Sequence, residues 1–166
     1  MTDDLLEEHA ISLPEGYQTL NWFHGFGRQI GPLYERIEDN GHYTRAFYVQ
    51  EHHTNGMGNC HGGMLMAFAD MAFGHAITMS VHRYWVTVRL LTVSLSGAKL
   101  GEWIEGTGEG ACAEDDFVTV KGRICCGDRT LMSRTRVCHA LGDRPANSAI
   151  PSQRQPTRAA LGAAGT

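Results

Sequence analysis

Residues 61–81, in the middle of the chain, form one long segment whose apolar side chains point in every direction around a helix. The segment is too long for a single strand, so its length and composition predict a helix. A helix that lacks a polar face has to be covered on all sides. We therefore expect one long central helix that is buried inside the fold.

The residues on either side of this segment show the period-two alternation that is typical of β-strands. Two strands are predicted before the helix, at Gly31–Ile37 and Gly41–Val49, with an Asn-Gly hairpin signal between them. Four strands are predicted after it, at Tyr84–Leu95, Glu102–Cys112, Phe117–Cys125 and Thr130–Ala140. The pattern predicts an α+β fold in which a curved antiparallel sheet wraps around the helix.

The length of 166 residues fits one domain. We expect a folded domain over residues 27–141, preceded by an N-terminal segment, residues 1–26. That segment is expected to form a short helix between Pro14 and Phe26 that caps the core. Residues 142–166 are rich in Pro, Ala, Gln, Ser and Gly, and such a composition has too few apolar side chains to order itself. We therefore expect a disordered tail there.

Charge and composition remove several classes of function from consideration. The formal net charge is −4, so the chain lacks the basic excess that favours binding to nucleic acid or an anionic membrane. No stretch has the roughly 18 uncharged apolar residues of a membrane span, and the acidic start of the chain is unlike a secretory signal. The five cysteines contain no C-x-x-C pair, which argues against a disulfide scaffold or a structural zinc site. We expect a cytoplasmic protein with buried thiols, no metal and no nucleic-acid partner.

Asp70 is the only residue of the predicted helix with a carboxylate or a basic group, apart from its histidines. Burying an unpaired carboxylate costs several kcal/mol. Asp70 could lie on a solvated helix face, or it could line a functional site. Its neighbours at helical spacing do not form a polar face, which favours the second interpretation.

A glycine-rich stretch, residues 53–63, leads into the helix. The first N–H groups of a helix lack partners within the helix, and the helix dipole makes that end attractive to negative charge such as a developing oxyanion. Gly62 and Gly63 also leave room for a ligand. A plain turn with a helix cap is the alternative.

The spacing of Gly62 and Asp70 predicts an assembly. The two residues are separated by about 12 Å along the axis of one helix. One carbonyl group cannot contact both, so cooperation requires Asp70 of another copy. We therefore predict a homodimer with antiparallel helices side by side and two composite sites.

The run His53-Thr54-Asn55-x-x-Gly58-x-x-His61-Gly62-Gly63, followed by Ala69-Asp70, resembles the hotdog-fold acyl-CoA thioesterases, in particular their PaaI-like branch. The resemblance covers about residues 31–140. It implies a hotdog fold, in which an antiparallel sheet wraps a long central helix. It also implies hydrolysis of an acyl-CoA thioester without a cofactor, and dimers that often pair into homotetramers.

The resemblance also implies roles for individual residues. The Gly62 amide would polarise the thioester carbonyl, and Asn55 would bind near the leaving sulfur or position water. His61 would orient the Gly-Gly turn or form a hydrogen bond near the thioester. Asp70 of the partner would act as general base or nucleophile, and Thr87 would assist the water. The residues expected to line the substrate pocket are Gly63, Met64 and Phe73.

Two other functions stay open at this point. A non-catalytic acyl-CoA-binding hotdog module, serving as a sensor or in a chaperone-like role, would keep the cleft, although the presence of Asp70 and Asn55 disfavours it. A hotdog dehydratase or hydratase would need histidine and acid motifs that this sequence lacks. The acyl group and the residues that bind the CoA phosphates are not assigned.

Overall fold

The computed structural model describes residues 12–21, 25–39, 41–80 and 83–143. The secondary structure follows the chain in an order close to the predicted one. The elements are β1 (Gln18–Thr19), α1 (Phe26–Gln29), β2 (Tyr34–Ile37), β3 (Tyr43–Tyr48), a 3₁₀ turn (Glu51–His53), α2 (Gly62–Ser80), β4 (Arg83–Ser94), β5 (Trp103–Glu114), β6 (Phe117–Cys126) and β7 (Arg129–Asp143).

The described strands form one antiparallel sheet with the order β1-β2-β3-β5-β6-β7-β4. Strands β5, β6 and β7 form a meander, and β4, which directly follows α2, returns to the far side of β7. The helix α2 packs against this sheet. The predicted α+β architecture, with one long helix against an antiparallel sheet, is therefore confirmed.

The core lies between α2 and the sheet, where Phe68 and Phe73 of the helix are fully buried. Phe73 packs directly against bare backbone of β6. A Cβ atom added at Gly122 would lie 2.4 Å from Cε1 of Phe73 and 2.5 Å from the carbonyl oxygen of Thr107. The helix can approach the sheet this closely because glycine occupies that position.

The helix is not covered on all sides within the single chain, so that expectation is wrong for one protomer. Met66 is 43% exposed, and Ala67, Asp70 and Met71 are only partly buried. These residues are spaced at three to four positions and so share one face of α2. We call Met66, Ala67 and Asp70 the open helix face.

Strand β4 is a second incompletely covered element. It pairs with β7 on one side and is the last strand of the described sheet. Several large apolar side chains of β4 are exposed, and so is that of the residue that follows the strand. They are Val86, Val88, Leu91, Val93 and Leu95. An edge strand with such side chains is a surface that commonly pairs with another chain.

The N-terminal segment differs from its prediction. The described residues between Pro14 and Phe26 form a turn and the short strand β1 instead of a helix. The helical turn α1 begins only at Phe26, whose side chain is 65% exposed and does not cap the core. Tyr17 is instead buried on the outer face of the sheet, where its ring packs edge-on against Trp103.

Residues 1–11 and 144–166 lie outside the described residues. The predicted tail, residues 142–166, lies there too, except that Gly142 and Asp143 belong to β7, so its predicted start is two residues too early. Within the described ranges, none of the helices combines the length and the apolar character needed to cross a membrane. Cys60 and Cys138 are buried free thiols, as expected, but Cys112 is exposed. The expectation of buried thiols is therefore wrong for Cys112.

Candidate active site

The glycine-rich turn before α2 is closed by the side chain of Asn55. Its Oδ1 accepts hydrogen bonds from the backbone N–H groups of Met57 (2.9 Å) and Asn59 (3.3 Å). These two donors identify the oxygen of the amide, so Nδ2 is the group left over. In the described part of the chain this Nδ2 has no hydrogen-bond acceptor, and it is therefore available to donate to a ligand.

His61 is the N-cap of α2. Its Nδ1 accepts a hydrogen bond from the Gly63 N–H at 2.9 Å, which is the usual bond of an N-cap side chain. The Gly62 N–H, between them in sequence, donates to no acceptor among the described residues. The cap thus fixes the turn and leaves one unpaired donor at the positive end of the helix.

Gly62 and Asn55 line the same cleft, which has a volume of about 490 Å³. Lys99 and Arg129 also line this cleft, and Nη2 of Arg129 donates to both carboxylate oxygens of Glu102, at 2.7 and 2.9 Å. A Cβ atom added at Gly62 would meet nothing within 4 Å. Packing within the fold therefore does not explain why position 62 is a glycine, and the space in front of Gly62 is open to a ligand.

Asp70 lies in the middle of α2, on the open helix face, with its side chain 41% exposed. Its Oδ1 accepts a hydrogen bond from the hydroxyl of Thr87 at 2.9 Å. Its Oδ2 has no hydrogen-bond donor among the described residues. The carboxylate is therefore held in place through Oδ1, and Oδ2 is left able to accept a hydrogen bond from a ligand or a water.

Arg136 of β7 completes this group and was missed in the sequence analysis. It is fully buried, and its guanidinium donates to the Asp70 backbone carbonyl and to the Thr87 Oγ1 at 2.5 Å. The guanidinium also lies 3.4 Å from Asp70 Oδ1. A usable signal was present, because Arg136 precedes the apolar Cys138 by two residues in a predicted strand and therefore shares its inward face.

Two other residues of the stretch 53–63, His53 and Cys60, are buried and are explained by the packing of the fold. His53 is buried, accepts the Gln50 N–H at 3.0 Å and lies 3.0 Å from the Ile30 carbonyl oxygen through its other nitrogen. Burial lowers the pKa of His53, which favours the neutral ring that this pattern requires. Burial raises the pKa of the Cys60 thiol to about 11, so Cys60 stays protonated near neutral pH and is packed as part of the core.

The residues expected to contact the acyl group lie at different depths. Gly63 is exposed at the start of α2, and Met64 is buried next to it. Phe73 is fully buried against β6, so a ligand could contact it only from within the core. The substrate contacts of these three residues stay predictions.

The structure thus sorts the predicted site residues into two groups. Asn55, His61 and Gly62 meet at the N-terminal end of α2, whereas Asp70 and Thr87 meet halfway along it. The groups are separated by about 12 Å along one helix. Among the residues that the structure describes, no three His, Cys, Asp or Glu side chains converge to hold a metal ion.

Comparisons with known proteins show which family and which folds this chain resembles. The family model named thioesterase superfamily matches residues 57–133, which include α2 and the residues of both groups except Asn55 and Arg136. A Pseudomonas aeruginosa protein with the name "Putative esterase PA0474" is 28% identical over 131 residues, or 78% of this chain and 98% of its own length.

Solved structures share the fold. Zebra fish thioesterase superfamily member 2 is 26% identical, with a TM-score of 0.63 over 71% of this chain and 87% of its own. The Escherichia coli PaaI protein of the phenylacetic acid degradation operon is 21% identical, with a TM-score of 0.64 over 71% of this chain and 85% of its own. A Streptococcus pneumoniae thioesterase-type protein, solved with coenzyme A, is 21% identical, with a TM-score of 0.61 over 68% and 88%. The architecture described above is therefore the hotdog fold.

Proposed function

We propose that this chain, which has the hotdog fold and matches the thioesterase superfamily model over residues 57–133, is an acyl-CoA thioesterase. It would hydrolyse the thioester of an acyl-CoA to a carboxylic acid and free CoA. The observation that carries the proposal is the Asp70 carboxylate, which is held by Thr87 at one oxygen and left unpaired at the other on the open helix face. The coenzyme A in the streptococcal structure supports the choice of thioester.

The Gly62 end of the helix would bind the substrate carbonyl. The unpaired Gly62 N–H, strengthened by the helix dipole, can donate to the carbonyl oxygen as negative charge develops on it. The Nδ2 group of Asn55 lines the same cleft and can donate to the sulfur side of the thioester or to a water. Lys99, which also lines the cleft, supplies positive charge for a phosphate group of the CoA.

The Asp70 group would supply the water. The single proton of the Thr87 hydroxyl is donated to Asp70, so the hydroxyl can still accept a hydrogen bond but cannot donate another. A water that donates one proton to Thr87 and the other to Asp70 Oδ2 would direct its lone pair outward, toward a bound carbonyl carbon. As general base, Asp70 takes the proton when the water attacks, and the proton can then pass to the departing CoA thiolate.

Attack by Asp70 itself is the alternative route. An Asp70 oxygen would form a mixed anhydride with the acyl group and release CoA, and water would then hydrolyse the anhydride. A single turnover in ¹⁸O-labelled water separates the two routes. Direct attack places label in the Asp70 side chain when water opens the anhydride at the aspartyl carbon, whereas the general-base route labels only the acid product.

A second copy of the chain would bring the two groups together. Asp70 and Gly62 of one chain are too far apart for one carbonyl group, and the open helix face and the apolar edge of β4 are both uncovered. Antiparallel packing of two α2 helices would cover the open helix face and place Asp70 of each copy opposite Gly62 of the other. We therefore propose a homodimer with two composite sites as the smallest active unit, and a pair of such dimers as a further assembly.

Thiol release from a panel of acyl-CoA substrates tests the proposed activity. Asp70→Asn keeps the shape of the side chain and removes the charge, so we expect at least about 100-fold slower turnover, because general-base catalysis typically contributes about 10²–10⁴-fold. Asp39→Asn, an exposed aspartate in the β2–β3 hairpin, is the matched control and should leave turnover unchanged.

Two results would contradict the proposal. Turnover by Asp70→Asn at the wild-type rate would remove Asp70 from the mechanism. Tight binding of acyl-CoA by the wild-type chain without release of thiol from any substrate would instead favour the non-catalytic binding module.

A further inference from the structure

Arg136 has no part in the reaction proposed so far, although it is a fully buried charged side chain close to Asp70. Transfer of a guanidinium from water into the interior is costly, and apolar replacements of buried ion pairs are often neutral or stabilising. Among the residues that the structure describes, the buried Nε of Arg136 also has no hydrogen-bond partner. The contacts of Arg136 therefore compensate its burial only in part, and stability alone does not account for this residue.

The fold makes specific room for the Arg136 side chain. Its guanidinium lies 4.3 Å from the centre of the Trp85 indole ring, which contributes a cation–π contact. On the other side lies Gly74, where an added Cβ atom would be 2.6 Å from Cη2 of Trp85 and 3.4 Å from Nη1 of Arg136. A glycine inside a helix is unfavourable, and here it leaves the space that both side chains occupy.

The hydrogen bonds of Arg136 restrict the Thr87 hydroxyl. A hydroxyl group rotates freely about its C–O bond unless its partners fix it. Arg136 Nη2 donates to one lone pair of Thr87 Oγ1, so the O–H bond of Thr87 has to point elsewhere. Two acceptors are in reach, Asp70 Oδ1 at 2.9 Å and the sulfur of Cys138, and the charged carboxylate oxygen is much the stronger of the two. Donation by Arg136 thus directs the Thr87 proton toward Asp70.

We propose that Arg136 is a positioning residue that acts on Asp70 through the Thr87 hydroxyl, and the inference rests on the proposed thioesterase activity. Arg136 fixes the direction of the Thr87 proton and anchors the Asp70 backbone carbonyl. Oδ1 of Asp70 is then occupied, and Oδ2 is the oxygen that faces the reacting water. Arg136 contacts the Asp70–Thr87 pair from the buried side and does not line the substrate cleft.

Arg45 provides a matched control. It is also buried, and its Nη1 donates to the backbone carbonyl of Met71, the residue after Asp70, at 2.7 Å. Its neighbour across the β2–β3 pair is the buried Glu35. Arg45 therefore anchors the same turn of α2 from the other side, and the substitution pair Glu35→Gln/Arg45→Met removes both charges together.

The experiment measures kcat and KM for acyl-CoA hydrolysis in Arg136→Met, Arg136→Lys, Thr87→Val and the double variant Thr87→Val/Arg136→Met. Methionine retains much of the volume of arginine without its charge, so we expect kcat to fall about 10–100-fold while KM changes less than about two-fold. Lysine keeps a charge but cannot form the forked contacts, and should give an intermediate kcat. The Glu35→Gln/Arg45→Met control should change thermal stability and leave kcat of the folded enzyme near the wild-type value.

The double variant shows whether Arg136 acts through Thr87. If it does, Thr87→Val/Arg136→Met loses no more kcat than the worse single variant, because both substitutions break the same linkage. Losses that multiply would overturn the proposal, and so would a folded Arg136→Met enzyme with wild-type kcat. Should Arg136→Met fail to fold, wild-type kcat in Arg136→Lys overturns it equally.

The wild-type and Asp70→Asn enzymes in the same assay separate this inference from the proposed function. An active wild type, an inactive Asp70→Asn and a fully active Arg136→Met overturn the role of Arg136 alone. A wild type that hydrolyses no thioester, or an Asp70→Asn enzyme as active as the wild type, overturns both.

Discussion

At the scale of single residues, the backbone N–H of Gly62 can be tested separately from the space in front of it. Gly62 is the first residue of α2, a position where proline is well tolerated because its missing N–H has no helical partner. Gly62→Pro removes the proposed donor to the oxyanion, whereas Gly62→Ala keeps the donor and adds only a methyl group. Beyond its sequence neighbours and the adjacent helix backbone, no described atom lies within 4 Å of that methyl position.

We expect the turnover of Gly62→Pro to be about 100–1000-fold below that of Gly62→Ala, because loss of one oxyanion donor typically has this effect. Thermal melts should show similar stability for the two variants. Equal turnover in the proline and alanine variants would mean that the Gly62 N–H does not stabilise the transition state.

The sequence identified most of the candidate site residues, because their types and order carry a chemical signal. A lone carboxylate in an apolar helix is unusual enough to be noticed by itself, whereas a glycine-rich helix start is common and gains weight only beside that carboxylate. Arg136 was missed because its significance depends on a contact between distant segments, from β7 to α2. A single strand sequence shows which residues share a face but not which side chain lies opposite them.

At the scale of the elements, the close packing of α2 on β6 makes Gly122 a critical position. An alanine there would place its methyl group 2.4 Å from the Phe73 ring. We expect Gly122→Ala to lower the free energy of unfolding by about 1–3 kcal/mol, as is typical of overpacked cores. Denaturant melts measure this, with Gly56→Ala as the control, since a Cβ atom at Gly56 would meet nothing within 4 Å.

A smaller side chain at position 73 should relieve the part of the clash that involves the Phe73 ring, while the contact with the Thr107 carbonyl oxygen remains. The double variant Gly122→Ala/Phe73→Leu is expected to be less destabilised than the sum of its two single variants, because the two sites share one space. If Gly122→Ala is as stable as Gly56→Ala, then α2 does not pack on the sheet as closely as described.

Periodicity predicted the elements well where one face is apolar and the element is long. The helix α2 and the meander β5–β7 follow the expected order and nearly the expected bounds. The prediction of a short N-terminal helix was wrong for the described residues, where Tyr17 packs on Trp103 at the outer face of the sheet next to the short strand β1. Short segments take the structure that tertiary contacts impose, and local pattern has little weight there.

At the scale of the whole molecule, complementation between two inactive variants tests the composite site. Asp70→Asn retains a normal Gly62, and Gly62→Pro retains a normal Asp70. In a mixed dimer, one of the two sites combines the normal groups of both copies. Randomly exchanged subunits should therefore recover about one quarter of the wild-type turnover, since about half of the two-fold dimers are mixed and each has one intact site.

Light scattering gives the mass of the assembly, and native mass spectrometry, which resolves the mixed dimer from the two parent dimers, serves as the control for mixing. Recovered activity is the expected outcome. A full mixture that stays inactive while wild-type dimers exchange normally would show that each site is built within one chain.

Gly62 and Asp70 lie on the same rigid helix, and this has a mechanical consequence for the proposed dimer. Two such helices related by a two-fold axis can slide past each other, and the slide changes both gaps between carboxylate and amide by the same amount. Both active sites of the dimer would then become active or inactive together, because neither carboxylate–amide distance can shorten while the other one lengthens.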